Sequence, residues 1–194
     1  MSENLVRFGL SNVHYAIYDA DTSSYGDPVA WPGAVSLSIS PEGESKKFYA
    51  DNIEYVILLL NNGYSGSLEM AAALDDASIA LLGAVKDADG KVVETVNDST
   101  VQFALMFEVT GNLREQRTVF YNCVLGRPSV NANTKSDSTD VDTVSYDIEI
   151  GSIEAELNGD TVHVVKATLE NTTDTASAYT AFMDSVPLPT STTA

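Results

Sequence analysis

Period-two alternation runs through most of the chain. Val35, Leu37 and Ile39 alternate with Ser36, Ser38 and Ser40, and Val144, Tyr146, Ile148 and Ile150 alternate with Ser145, Asp147 and Glu149. Successive side chains of a strand point to opposite faces, so this pattern predicts strands with one buried and one wet face. Phe103, Leu105, Phe107 and Val109 alternate less cleanly with Gln102, Ala104, Met106 and Glu108. Further strands are predicted over 13–18, 47–50, 55–60, 67–71, 91–95, 117–125, 162–169 and 178–183, separated by turn-forming residues. Many short strands with such punctuation predict a mainly β chain, an antiparallel β-sandwich or partial barrel. One short α-helix interrupts them. Asp75 or Asp76 can cap it, Ile79 and Leu82 share a face, and Gly83 suits the left-handed position past its end. About two turns cannot stand alone, so this helix is expected to flank the sheet.

Three stretches read as long loops or arms: 19–33, rich in Asp, Ser, Gly and Pro; 128–142, almost without apolar residues; and the Pro/Thr/Ser tail from 187. Long irregular segments in compact domains are often functional. No internal repeat or domain boundary stands out. The expected organisation is an N-terminal arm over 1–12, a single β domain over 13–186 and a C-terminal tail over 187–194.

The chain has 194 residues, which fits one domain with arms. Charged residues make up 20% and hydrophobic residues 44%, a globular balance. Cys123 is the only cysteine, so a disulfide scaffold is excluded. The start, Met1-Ser2-Glu3-Asn4, shows no basic region followed by an apolar run, and the longest apolar run, Val56 to Leu60, is far below a membrane span. Synthesis in a cytoplasm and no membrane partner are therefore expected. The net charge of −18 argues against tight nucleic-acid binding, which needs clustered Lys and Arg, but not against a protein past which DNA slides.

Motifs for chemistry are weak. Gly63-Tyr64-Ser65-Gly66-Ser67 fails the nucleophile-elbow pattern at position 67, and a β-turn between strands is the better reading. Asp87-Ala88-Asp89-Gly90 resembles part of a calcium loop, but Val85 and Val96 fall where ligands are needed, so a hairpin turn is expected. His14 and His163 sit in strand patterns without partners at zinc-ligand spacing. Cys123 lies in an apolar strand and reads as a small buried hydrophobe, with a folded Cys–His pair as the alternative. Asn97-Asp98-Ser99 and Asn171-Thr172-Thr173 match the glycosylation sequon but lack a secretion context. No catalytic residue, metal or cofactor is expected.

Several segments, taken in order, resemble the major tail proteins, or tail tube proteins, of long non-contractile-tailed bacteriophages. They are 6–15, 32–37, 48–52, 62–69, Leu82-Gly83 and 117–128, with Arg127-Pro128 closing the last. The resemblance implies a β-sandwich or partial barrel with a flanking helix. It also implies six copies closing into a ring and rings stacking into a tube in the virion tail. Implied partners are further copies of the chain, the tail-tip or initiator proteins, the terminator, the tape measure protein and passing DNA. The competing readings are a virion binding or fibre module and, from Cys123, a cysteine hydrolase.

Two sets of residues follow as candidates. Trp31, next to Pro32, is an inter-ring anchor, because aromatic residues dominate interface energetics; the alternative is that Trp31 packs in its own core. Ser36, Glu69, Asp147 and Glu149 lie on wet strand faces and are candidates to line the channel, where acidic side chains keep DNA off the wall.

Overall fold

The computed structural model describes residues 9–50, 53–71, 76–97, 99–111, 115–130 and 143–190. The chain opens with β1 (Leu10–Asp19), followed by the two-residue strands β2 (Ser24–Tyr25) and β3 (Val29–Ala30). Next come two long strands, β4 (Ala34–Ala50) and β5 (Ile53–Met70), and helix α1 (Asp76–Leu82). A small hairpin, β6 (Val85–Lys86) and β7 (Val92–Val93), leads to β8 (Phe103–Val109), β9 (Gln116–Leu125) and β10 (Val144–Ile150). The last part holds the hairpin of β11 (Ile153–Leu157) and β12 (Asp160–Val164), then β13 (Lys166–Glu170) and helix α2 (Ala176–Ala181). The main sheet has the order β2-β1-β8-β9-β10-β5-β4, with β3 on β1 and β13 on β9, and every ladder is antiparallel. The sheet curls until the start of β4 lies near β1, without a ladder between them, so it is a partial barrel and not a closed one.

The main core fills the concave side of this curl. It contains Val13, Tyr15, Trp31, Leu68, Phe103, Leu105, Tyr146 and Ile148, with Leu81 and Leu82 of α1 packed in. A second apolar layer lies on the other face of β8 and β9, where Ala104, Met106, Val119 and Tyr121 meet Phe182 just past α2. β8 is thus covered on both faces, which explains its uneven alternation: Ala104 and Met106 occupy what would be the wet face of an outer strand.

β9 holds the two layers together through a bulge. Asn122 has φ 46, and across it the ladder with β8 shifts from Leu105↔Phe120 to Phe103↔Cys123. Before the bulge the other edge of β9 pairs with β13, over Gln116 to Phe120; after it that edge pairs with β10, over Cys123 to Leu125. Asn tolerates the left-handed region better than most residues, and here its amide also donates to the Ser152 carbonyl at 3.1 Å.

Besides 162–169, which divides between β12 on β11 and β13 on β9, two expectations need correction. The stretches 35–40, 47–50, 55–60 and 67–71 are not four strands but two, because the breaks at Pro41 to Gly43 and at Asn61 to Gly63 are passed within continuous strands, with a register shift at Glu42/Gly43. Gly63 and Gly66 therefore stand inside β5 and not in a β-turn. A Cβ on Gly66 would overlap the Ser38 carbonyl oxygen, and one on Gly63, with φ 103, would overlap that of Ile150. The second correction concerns 178–183, which is not a strand. Residues 176–181 are helical, and Arg117 donates from its guanidinium to the Tyr179 and Thr180 carbonyls while lying 4.2 Å over the Tyr179 ring. The same guanidinium is paired with Glu108 at 3.0 Å, both side chains being largely buried.

Candidate functional site

Strands β4, β5 and β10 lie side by side, and their register assembles one polar face. Ser36 and Ser145 both stand opposite Glu69; Asp147 and Ser38 stand opposite Ser67; Glu149 and Ser40 stand opposite Ser65. Directly opposed residues of an antiparallel pair share a face, so the four channel-lining candidates Ser36, Glu69, Asp147 and Glu149 fall together on it. The opposite face carries Leu37, Ile39, Leu68, Tyr146 and Ile148 into the core. No Lys or Arg occurs within 34–42, 63–70 or 144–150.

Glu69 stands on the middle strand, at one end of this face. Its carboxylate accepts from the Thr143 hydroxyl at 2.5 Å and from the Ser36 hydroxyl at 2.8 Å. These two bonds, Thr143 first, hold its carboxyl below the ordinary 4.5. The charge is thereby fixed in place at neutral pH on a surface that is otherwise hydroxyl and carboxylate.

The same two long strands run beyond the sheet. β10 covers β5 only from Tyr64 to Met70, whereas β4 and β5 stay paired from Gly43↔Asn61 to Ala50↔Ile53. Among the described residues this outer part is a two-stranded ribbon, and β4 pairs with β5 alone along its whole length. The ribbon carries the unbroken apolar run Val56-Ile57-Leu58-Leu59-Leu60. Such a run suits a strand covered on both faces, and an isolated two-stranded ribbon is marginal in water. Ile53 and Tyr55, near its tip, are 63% and 68% exposed.

Trp31 is not available as an inter-ring anchor. It is 1% exposed, with its ring centroid 6.0 Å from those of both Tyr15 and Tyr146, and its backbone N–H donates to the Val13 carbonyl. The core alternative holds, because loop 19–33 folds back onto β1 through β2 and β3. Pro32 beside it is exposed. Most of the 128–142 loop, the arm before Gly9 and the end of the tail lie outside the described residues.

The other motifs resolve locally. Asp87 to Gly90 forms the β6–β7 turn: the Asp87 carboxylate accepts the Asp89 and Lys91 backbone N–H groups, and the Lys91 ammonium bridges Asp87 at 3.0 Å and Asp89 at 2.6 Å. That ammonium stands where a cation would be needed. Cys123 is fully buried and desolvation pushes its thiol up, away from the reactive thiolate. His14 and His163 lie in β1 and β12; the His14 ring nitrogen meets the Asn12 carbonyl at 3.0 Å. Among the described residues no three His, Cys, Asp or Glu side chains are grouped to hold a metal, and no helix is long and apolar enough to cross a membrane. Strand alternation marks the polar face but not the ribbon, because Pro41 to Gly43 and Asn61 to Gly63 interrupt the pattern between it and the sheet.

No protein-family model matches the chain. No curated protein matches it significantly. A solved structure to which it is similar is a chain of the anti-feeding prophage baseplate, determined by cryo-electron microscopy with six-fold symmetrisation. The identity is 12% and the TM-score 0.48, over 87% of this chain and 97% of that chain.

Proposed function

We propose that the protein is a structural, non-enzymatic subunit of a phage tail tube, closing as rings of six that stack into the conduit for DNA. The sequence resemblance suggests the ring. The observation that carries the reading is the sheet β10-β5-β4: a polar face without Lys or Arg, bounded among the described residues by an unpaired edge and continued as a two-stranded ribbon whose β5 half carries the apolar run 56–60. An open edge and a protruding apolar run are liabilities in a monomer and assets in a polymer, where a neighbour's strand satisfies one and buries the other. The polar face then suits the channel wall. A basic wall would hold DNA by many phosphate contacts, whereas a carboxylate and hydroxyl wall repels it over about 8 Å at physiological salt. Tip, terminator and tape measure proteins would be the partners at the ends and in the lumen.

Negative-stain microscopy of concentrated protein, alone and with its tail-tip complex, tests this. Rings or tubes are expected, each interface burying about 2,000 Å² or more in total. Compact trimers, or a strict monomer even beside the tip complex, would overturn it.

A further inference from the structure

The end of β1 opens onto a groove of about 610 Å³, within the range of small-ligand sites. Tyr18 of β1 and Tyr25 of β2 line it as directly opposed partners, with ring centroids 5.1 Å apart and planes at 62°. Both rings are half-buried, so each keeps surface for a ligand. Ile153 and Val186 add apolar surface continuous with the second layer. Backbone bonds fix these walls. The Tyr18 N–H donates to the Gln102 carbonyl at 2.8 Å, and the Gly26 N–H to the Ile17 carbonyl at 2.9 Å. The bulge residue Asn122 also lines the groove, with its side-chain amide held by the Ser152 carbonyl and its backbone N–H donating to the Tyr25 hydroxyl at 3.4 Å. A site ordered in advance has little left to order when a ligand arrives.

The lining chemistry narrows the ligand. Beside the apolar residues stand serine hydroxyls, the amides of Gln102 and Asn122, and the carboxylates of Asp27 and Glu154. Among the described residues no Lys, Arg or His lines the groove, so a phosphate, sulfate or carboxylate would find no counter-charge and two like charges. A lipid chain would leave the amides and hydroxyls desolvated and unpaired. A small cation would find only exposed carboxylates, where ion pairs gain little. A sugar matches both halves of the lining. Its rings have an apolar C–H face that lies on a tyrosine ring, and its hydroxyls donate and accept at the edges. The Tyr25 hydroxyl accepts from Asn122, which leaves its own hydrogen for a sugar oxygen. We infer that this groove is a binding site for a neutral oligosaccharide, with Tyr18 as the stacking platform and Gln102, Asp27 and Glu154 as hydrogen-bonding groups.

The test is an NMR titration of the full chain with three neutral probes, maltotriose, cellotriose and tri-N-acetylchitotriose, and two charged ones, trigalacturonic acid and spermidine. At least one neutral trisaccharide should bind saturably, with shifts at Tyr18, Tyr25 and Gln102, and more tightly than either charged probe. Tyr18→Ala should weaken that binding about tenfold or more, through loss of the stacking face. Gln102→Ala, at an exposed position, should weaken it about threefold or more, and carries the test if Tyr18→Ala does not fold. Four results would each overturn the inference: no binding of any neutral probe, binding of a charged probe as tight or tighter, shifts clustered elsewhere, or unchanged affinity in a folded variant. The titration needs only the isolated chain, so it stands apart from the function proposed above. Sugar binding by a protein that never forms rings would support the groove and refute the tube. A protein that forms tubes and binds no probe would refute the groove alone.

Discussion

Trp31 and Asn122 carry more of the fold than their neighbours. Trp31→Ala removes an indole that is 1% exposed between two tyrosine rings, and should destabilise the subunit by about 3–5 kcal/mol in a denaturant titration. Asn122 holds φ 46 at the bulge where β9 changes partners, so Asn122→Val should cost about 1–2 kcal/mol while Asn122→Gly is much milder. Glu69 supplies a pH test. Its folded-state carboxyl lies below the ordinary 4.5, so its bonds to Thr143 and Ser36 stabilise the native state above that value and are lost as pH falls through the lower folded one. The gap in melting temperature between wild type and Glu69→Gln should thus be constant near neutrality and close below pH 4.5. The positions of Ser36, Glu69, Asp147 and Glu149 were legible because strand alternation assigns faces without knowledge of partners. The burial of Trp31 was not, because it depends on the loop folding back over β1, which no local pattern encodes.

Strands and helices were legible to different degrees for a physical reason. Period two survives wherever one face is wet, as in β10, and blurs where both faces are covered, as in β8. Pro41 and the Asn61-Asn62-Gly63 stretch normally end strands, yet here register shifts absorb them at an edge. α2 was missed because what holds it is remote: Arg117, far away in sequence, satisfies its last carbonyls. Arg117→Ala should therefore unravel 176–181 and cost about 3 kcal/mol, since it also leaves Glu108 buried without its cation. Loss of protection in amide exchange across that helix would report it. The ribbon should behave in the opposite way. Replacing 44–60 by a tight turn should leave the melting temperature of the monomer nearly unchanged and abolish assembly, because a two-stranded extension adds little stability by itself.

In the proposed ring, charge would dominate. Six copies would bring six times −18 formal charges into one ring, so cations must accompany assembly. The purified subunit should not retain duplex DNA in a gel-shift experiment at about 0.15 M salt, and tight retention would contradict a cation-free channel wall.

The sheet order also dictates when the subunit can fold. β1 finds its long partner only in β8, with Leu10 opposite Val109 and Ile17 opposite Phe103. Until residue 109 has been synthesised, Val13, Tyr15 and Trp31 have no core to enter, and the apolar run 56–60 of β5 is already made. The nascent chain therefore passes through an aggregation-prone interval, and its pairing of distant segments puts folding in the slow range of about milliseconds to seconds. Chains cut before residue 103 should accumulate as insoluble material or on chaperones, and chains carried through β10 should become soluble. Soluble yield at high expression thus depends on how quickly ribosomes complete each copy of the chain.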